Sequence, residues 1–309
     1  MKKLKHILPV ILTILTLKAK AQLKGDHILG DAGLQSGTQA PPGLSVAVPL
    51  YFYNASKLKN SSGDVIANPN ITAFVTGAGV SYVSDIKILN ANWGASVLFG
   101  FASNKLEGNS VNSKSPFAFS DTYIQPVQLG WHTKRADFTA GYALYLPTGR
   151  YSVGGDNNSG LGMLGNEFSA GTTLYLDKKK SWNFSALFSY ELHSKKKNSD
   201  IKAGDDLNIE GGIGKTIYKK VSGPVPMIFN MGLIYYMQFK TTTDNIPPIP
   251  TSLLGSKDHV YALGLEGSVF LPHSRTVIGL RWLDEFSAIN RFQGNTFFIT
   301  LAQMIKTKK

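Results

Sequence analysis

Twelve segments of this sequence alternate between apolar and polar residues, and the gaps between them are alternately long and short. Successive side chains of a β-strand point to opposite faces, so each segment predicts a strand with one apolar and one polar face. Short turns at one end and longer loops at the other are typical of an antiparallel barrel that crosses a bacterial outer membrane. The predicted fold class is therefore all-β, a closed transmembrane barrel of about twelve strands.

The lengths and number of these segments agree with this fold. A tilted strand needs about 9–11 residues to cross a bilayer, and single-chain bacterial barrels have even strand numbers. The predicted strands are 44–54, 69–83, 91–101, 122–132, 136–147, 166–176, 182–193, 205–217, 225–240, 258–271, 275–286 and 293–304. Long loops, predicted to be extracellular, are 55–68, 102–121, 148–165, 194–204, 241–257 and 287–292. Because the short turns belong in the periplasm, both barrel ends are expected there.

The alternation is clearest in 182–193. One face carries Trp182, Phe184, Ala186, Phe188, Tyr190 and Leu192, and the other carries Asn183, Ser185, Leu187, Ser189, Glu191 and His193. A soluble β-sandwich of this length would need two domains and a linker, and the sequence contains no such linker. Aromatic residues near the predicted strand ends suit the interfacial girdles of a barrel. These residues are Tyr51, Tyr53, Trp93, Trp131, Trp182, Tyr235 and Trp282.

The first 21 residues have the pattern of a cleaved secretory signal. Three lysines precede the apolar stretch 7–17, which is too short to cross a bilayer as a helix, and Ala19-Lys20-Ala21 fits a cleavage site. Cleavage would leave an N-terminal segment 22–42, the barrel 43–304 and a basic tail 305–309. Residues 22–42 could be a loose periplasmic lead-in or a hatch inside the lumen. The sequence leaves both interpretations open.

Composition narrows the function classes. The chain has no cysteine, which excludes disulfides and thiolate metal sites. Mean hydropathy is −0.05, which excludes a helical membrane protein and fits a barrel, since half of each barrel strand is polar. The net charge of +12 is spread over turns and the tail. We therefore expect no nucleic-acid binding, which needs a basic face. Lysine-rich loops could contact the anionic sugars of lipopolysaccharide.

Several sequence blocks, in order from residue 30 to about 301, carry a family resemblance. They are Gly30–Gly43, Gln125–His132, Leu146–Tyr151, Ser189–Ser194 with Asp200–Asp205, Ile209–Lys215 and Arg291–Thr296. With these blocks the chain resembles the outer-membrane family assigned to the meta-pathway of phenol degradation. The resemblance implies a barrel that passes hydrophobic, often aromatic, compounds across the outer membrane. One departure is the basic tail that follows Phe297 and Phe298, where many such barrels end on an aromatic residue used by the assembly machinery.

With the apolar faces outward, six charged or titratable residues point into the lumen. They are Glu191, His193, Glu210, Glu266, Arg281 and Glu285. Eight strands fill their barrel and 16–18 leave a channel, so twelve should leave a narrow lumen in which charges are paired. We expect a bidentate pair between Arg281 and Glu266. The set could brace the barrel as a salt-bridge network or form a polar constriction that selects cargo.

A second candidate lies where the strand 136–147 ends. Pro147 and Gly149 stop strand pairing, which alone would explain this segment. The adjoining Arg150 and Tyr151 could instead contact an aromatic ligand through cation–π and stacking interactions.

Enzyme motifs are missing from the sequence. None of the six histidines has a serine two positions later, and neither Gly-x-Ser-x-Gly nor His-x-x-x-His occurs. Glu191 and His193 alone are too few ligands for a metal. We therefore expect no enzymatic activity, no cofactor and no bound metal.

The sequence thus predicts a monomeric outer-membrane channel that passes small hydrophobic molecules by diffusion, since no energy-coupling domain is visible. The alternative is a structural or surface-interaction barrel with a plugged lumen, and a lipid-modifying enzyme is a third option. The expected partners are outer-membrane lipid and lipopolysaccharide, a small hydrophobic molecule and the outer-membrane assembly machinery.

Overall fold

The computed structural model describes residues 24–108, 111–247 and 257–305. The predicted signal 1–21 and the end of the basic tail lie outside the described residues. Among the described residues, no helix has the length and hydrophobicity needed to cross a membrane.

Within the described ranges, thirteen strands form one antiparallel sheet, and pairing of β1 with the last strand closes it into a barrel. The strands are β1 (Gly43–Lys59), β2 (Val65–Ala67), β3 (Asn70–Ile88), β4 (Ala91–Gly108), β5 (Val111–His132), β6 (Ala136–Leu146), β7 (Gly165–Tyr175), β8 (Trp182–His193), β9 (Asp206–Lys219), β10 (Met227–Lys240), β11 (His259–Leu271), β12 (Thr276–Ile289) and β13 (Phe292–Ile305). The short β2 pairs only with the end of β1, so twelve strands build the wall. The predicted twelve-stranded antiparallel barrel is confirmed.

The closing seam runs along the whole of β1 and β13. Leu44 pairs with Ile305 at one end and Leu58 pairs with Phe292 at the other. Closure removes the open sheet edges, whose backbone groups would find no hydrogen-bond partner in lipid. The three longest connections, 147–164, 194–205 and 241–258, lie at the end opposite to the start of β1, which identifies the end where β1 begins as periplasmic.

One predicted loop is wrong. Residues 102–108 and 111–121 continue the β4–β5 hairpin, since Phe101 pairs with Phe119 and Glu107 pairs with Asn112. The polar composition of this stretch led to the loop prediction, but a hairpin that extends beyond the membrane into water keeps its ladder while carrying charged side chains. Lys105 and Glu107 form an ion pair of 2.6 Å there.

The outer face of the barrel is apolar and the inner face is polar. In β8, Phe184, Phe188 and Leu192 are exposed, whereas Asn183 and Ser189 are buried. This distribution is the reverse of a soluble protein's and fits a wall surrounded by lipid.

Two of the predicted girdle tyrosines are placed differently. Tyr51 and Tyr53 line an interior cavity, and Tyr53 is only 4% exposed. The pleat explains this placement, because the intervening Phe52 takes the outer face. Those tyrosines therefore belong to the lumen and not to an interfacial girdle.

Residues 24–42, the plug segment, lie inside the barrel and contain neither helix nor strand. At the extracellular end, the Lys24 ammonium lies 4.6 Å from the centre of the Tyr53 ring. Towards the periplasmic end, the Gln39 side chain donates to the Gln128 carbonyl at 3.0 Å, and the segment then enters β1 at Gly43. Of the two interpretations of this segment, the structure therefore shows the one inside the lumen.

Candidate functional site: the barrel lumen

Three glutamates of the wall accept hydrogen bonds from backbone N–H groups of the plug segment. The bonds run from Asp26 and His27 to Glu191 (2.8 and 3.0 Å), from Gly30 and Ala32 to Glu210 (2.7 and 2.9 Å), and from Leu34 to Glu266 (2.8 Å). An irregular backbone enclosed in a barrel has no ladder to satisfy its N–H groups, and carboxylates are strong acceptors for them. The acidic lumen residues therefore serve first to hold the plug segment.

His27 is the most enclosed ionic contact between the plug segment and the wall. Its Nδ1 lies 2.8 Å from a Glu167 carboxylate oxygen and its Nε2 lies 3.3 Å from one of Glu210. Burial alone would lower the pKa of His27, but the carboxylates of Glu167, Asp31 and Glu210 outweigh burial and raise the pKa well above its ordinary value. The ring thus contacts carboxylates from two strands of the wall, β7 and β9.

Arg281 contacts the wall and the plug segment at once. Its Nε donates to Glu266 at 2.9 Å, and its Nη1 donates to the Asp31 carbonyl at 2.6 Å. The sequence predicted a bidentate pair with Glu266, but only one of the two guanidinium contacts is made to that carboxylate. The other contact fixes the plug segment.

Two glycines allow the plug segment to pass close to the wall. A Cβ atom on Gly33 would lie 1.8 Å from a carboxylate oxygen of Glu266, and one on Gly37 would lie 2.2 Å from the backbone carbon of Thr172. No side chain fits at those distances. Gly33 and Gly37 of the family-like block 30–43 therefore have a steric reason to be glycine.

Apolar packing adds to these polar contacts. Leu29 of the plug segment lies in a buried cluster with Ile234, Tyr236 and Leu283, and Leu34 packs against this cluster. The plug segment is thus docked on the β6–β12 side by hydrogen bonds, ion pairs and a small hydrophobic core.

All six predicted lumen residues face the interior. Glu191, Glu210, Glu285, His193 and Glu266 are between 0% and 8% exposed. Glu285 differs from the others because it accepts hydrogen bonds from Tyr53 (3.0 Å) and Tyr236 (2.8 Å) and not from the plug segment.

The predicted rim pair is not brought together with these residues. Arg150 lies in the extracellular loop between β6 and β7, where its Nε donates to the Asn157 carbonyl at 2.9 Å. The Tyr151 ring centre lies 5.3 Å from the Lys196 ammonium. Both side chains therefore stabilise loops at the extracellular end.

Sequence reasoning missed the plug-segment residues Asp26, His27 and Asp31, and it missed Glu167 on the wall. Glu167 could have been found, because it alternates with Phe168 in a predicted strand and lies directly opposite Glu191. The plug-segment residues have no periodic signal, so no pattern assigned them to a face.

Two cavities remain between the plug segment and the opposite wall. The larger, of about 350 Å³, has an aromatic lining that includes Tyr51, Tyr53, Tyr123, Tyr145, Tyr236 and Phe298. The smaller, of about 250 Å³, lies towards the periplasm against small residues such as Ala47, Gly79, Ser81 and Ser96. They share Ile28 and Asp31 of the plug segment and Leu98, Tyr123 and Tyr145 of the wall. These five residues line the junction of the two cavities, which we term the constriction.

Comparison with known proteins places the chain among outer-membrane barrels. Residues 55–301 match a family model described as "Putative MetA-pathway of phenol degradation". The COG4313 outer membrane channel from Pseudomonas putida F1 superposes with a TM-score of 0.71 over 91% of this chain and 100% of that chain, at 11% identity. The beta domain of the Bordetella autotransporter BrkA has a TM-score of 0.51 over 85% of this chain and 100% of that chain, also at 11% identity. No curated protein matches. The structural likenesses show the fold, a closed antiparallel barrel.

Proposed function

The chain belongs to the family described as "Putative MetA-pathway of phenol degradation". We propose that it is an outer-membrane channel through which small aromatic compounds diffuse beside the plug segment. The observation that carries the proposal is the pair of adjoining cavities that share Leu98, Tyr123 and Tyr145. Together they follow the inner faces of β1, β3, β4 and β5 from the extracellular half of the lumen towards the periplasm.

The lining of these cavities favours an aromatic solute. Inner positions of β1, β3 and β4 carry small or apolar side chains such as Ala47, Val75, Gly79 and Ala102, which leave room next to the tyrosine rings. Aromatic pairs gain about 0.5–1.5 kcal/mol beyond area burial. Tyrosine also offers a hydroxyl to a polar group on the solute. Ring contacts would therefore contribute to selection, beside the charged groups of Asp31, Glu285 and Arg291 that also line the larger cavity. The role requires no catalytic step.

Uptake by proteoliposomes tests the proposal with a matched pair of solutes. Phenylalanine and cyclohexylalanine are both zwitterions, and they differ in the aromaticity of the ring. We expect phenylalanine to enter several-fold faster through the wild-type chain, in line with the ring-contact energy of about 0.5–1.5 kcal/mol. Equal rates would contradict the aromatic preference.

A wall variant locates the path. Leu98→Trp should fill the constriction and abolish uptake of both solutes, whereas Leu265→Trp, on the exposed outer face, should leave uptake unchanged. If no solute enters even after the plug segment is removed, the protein is a plugged structural barrel and the channel proposal fails.

A further inference from the structure

A second cluster at the extracellular end of the lumen is built differently from the plug contacts already described. One ligand atom from each of Asp26, Glu191 and His193 lies within 4.8 Å of the other two. Asp26 belongs to the plug segment, whereas Glu191 and His193 belong to β8 of the wall. We propose that this cluster binds one divalent transition-metal ion, with Zn²⁺ as its representative, and that the ion latches the plug segment to the wall.

The orientation of His193 fits a metal ligand. Its Nδ1 lies 2.8 Å from the Gly204 carbonyl, an acceptor, so Nδ1 carries the proton in the neutral ring and Nε2 has the free lone pair. A backbone carbonyl bound to the opposite nitrogen is the usual support of a metal-ligating histidine. Nε2 points towards the cluster, where Glu191 lies 3.3 Å away.

Buried carboxylate oxygens without partners are the independent observation. Asp26 Oδ2 and Asp206 Oδ1 are both inaccessible and find no hydrogen-bond partner among the described residues. Asp206 is 1% exposed and lies directly opposite Glu191 across the β8–β9 pair. The Asp206 and Glu191 carboxylates also converge on Gly25, since a Cβ there would lie 2.7 and 3.0 Å from them. Like charges directly opposite one another destabilise a sheet, and an unsatisfied buried carboxylate is costly.

A divalent cation would provide a partner for these buried carboxylates and would offset the repulsion between them. It would be neutralised by carboxylates on both sides and would take the lone pair of His193. Glu191 Oε1 accepts one hydrogen bond, from Asn208, and a carboxylate oxygen can accept a further contact. Two ligands of one zinc ion lie at most about 4.4 Å apart, so the cluster needs to contract by only a few tenths of an ångström.

The donor set also selects the class of metal. Imidazole nitrogen suits zinc and its neighbours in the first transition series, whereas Ca²⁺ and Mg²⁺ prefer all-oxygen sites. Because one ligand comes from the plug segment and two come from the wall, bound metal would hold the segment docked. Metal binding is measurable whether or not the barrel conducts, so the site does not depend on the proposed function.

Zinc titration of the full chain in detergent, after treatment with a chelator, tests the site. We expect one Zn²⁺ per wild-type chain, and Asp26→Asn and His193→Gln should each weaken binding by more than the about 10–100-fold that loss of an outer-shell partner costs. His259→Gln is the matched control, because His259 begins β11 outside the cluster and should bind as the wild type does. Equal zinc affinity in all four proteins, or no binding by the wild type at micromolar zinc, would overturn the proposal.

Two further measurements separate a metal effect from a folding defect. Asp26 contributes to no strand, so Asp26→Asn should leave the barrel folded, and zinc should raise the melting temperature of the wild type but not of this variant. Calcium in large excess should not displace zinc. Displacement by calcium would overturn the assignment to a transition metal, and an equal melting shift in Asp26→Asn would overturn the latch.

Discussion

The two sides of the lumen are built from different residues. On the β6–β12 side the inner face carries acids that hold the plug segment. Glu191, Glu210 and Glu266 accept from its backbone N–H groups, and Glu167 contacts the His27 ring. On the β1–β5 side the inner face carries small residues and tyrosines that line both cavities, and Tyr145, Tyr236 and Phe298 of other strands complete the lining of the larger one. In the proposed channel, one half of the wall would dock the plug segment and the other half would line the path of the solute. Changes on one side should therefore affect transport differently from changes on the other.

Removal of residues 24–40 should have the largest effect on permeability, because without the plug segment both sides of the lumen are open to solute. The deleted residues belong to no strand, and the β1–β13 seam begins at Leu44, so the barrel should still close. The unplugged lumen of a twelve-stranded barrel should pass small solutes at least about tenfold faster. Liposome swelling with graded sugars measures the change. Unaltered permeability would show that the plug segment does not limit passage.

Gly37→Val tests the docked state by a single clash. The added Cβ would lie 2.2 and 2.3 Å from the Thr172 backbone, which cannot yield without distorting β7. We expect the periplasmic part of the plug segment to leave the wall and permeability to rise, though less than in the deletion. Gly267→Ala is the control, since no described atom lies within 4 Å of its added Cβ. Equal permeability of both variants would place the limiting contact elsewhere.

Sequence patterns predict the strands of the wall better than they predict the plug segment. The predicted strand 182–193 has the observed bounds of β8, because each residue of that strand meets either lipid or the lumen. The wall acids Glu191, Glu210 and Glu266 followed from the same alternation. The alternation predicts which side chains of the wall face the lumen, but it does not predict which groups they contact.

The plug segment could not be placed by such a pattern. Its contacts join residues far apart in the chain, such as Gly30 and Glu210, and an irregular segment has no period that assigns its side chains to a face. The two cavities depend on where that segment lies, so the constriction at Leu98, Tyr123 and Tyr145 could not be predicted either. The extension of the β4–β5 hairpin was missed because its strand pairing continues outside the membrane. Charged side chains are tolerated there, whereas within the sequence pattern they indicate a loop.

Arg281→Ala should have an intermediate effect. The change leaves Glu266 without its cation and frees the Asp31 carbonyl, so the plug segment loses one wall contact. Loss of a hydrogen bond to a charged group costs about 1–3 kcal/mol. We expect a lower melting temperature and a modestly wider solute cutoff. Arg281→Lys should recover part of the loss, because it restores the charge but not the forked guanidinium that reaches Glu266 and the Asp31 carbonyl together. Unchanged melting together with unchanged permeability would show that this pair does not hold the plug segment.

The smallest expected effect is a dependence of docking on pH. Enclosure in the lumen raises the pKa of the Asp31 carboxyl to about 7, where His27 and Arg281 oppose the rise and Glu210 and Glu167 add to it. A docked pKa above the ordinary value favours the protonated form, so this contribution to docking is complete below about pH 4 and is lost as pH rises through about 7. About half of the Asp31 side chain is accessible, at 53%, so we expect only a small increase in permeability across that range. Swelling rates from about pH 5 to about pH 9 should show a step that Asp31→Asn removes. Because Asn keeps the size of the side chain and cannot ionise, a step that persists in Asp31→Asn would assign the titration to another group of the β6–β12 side.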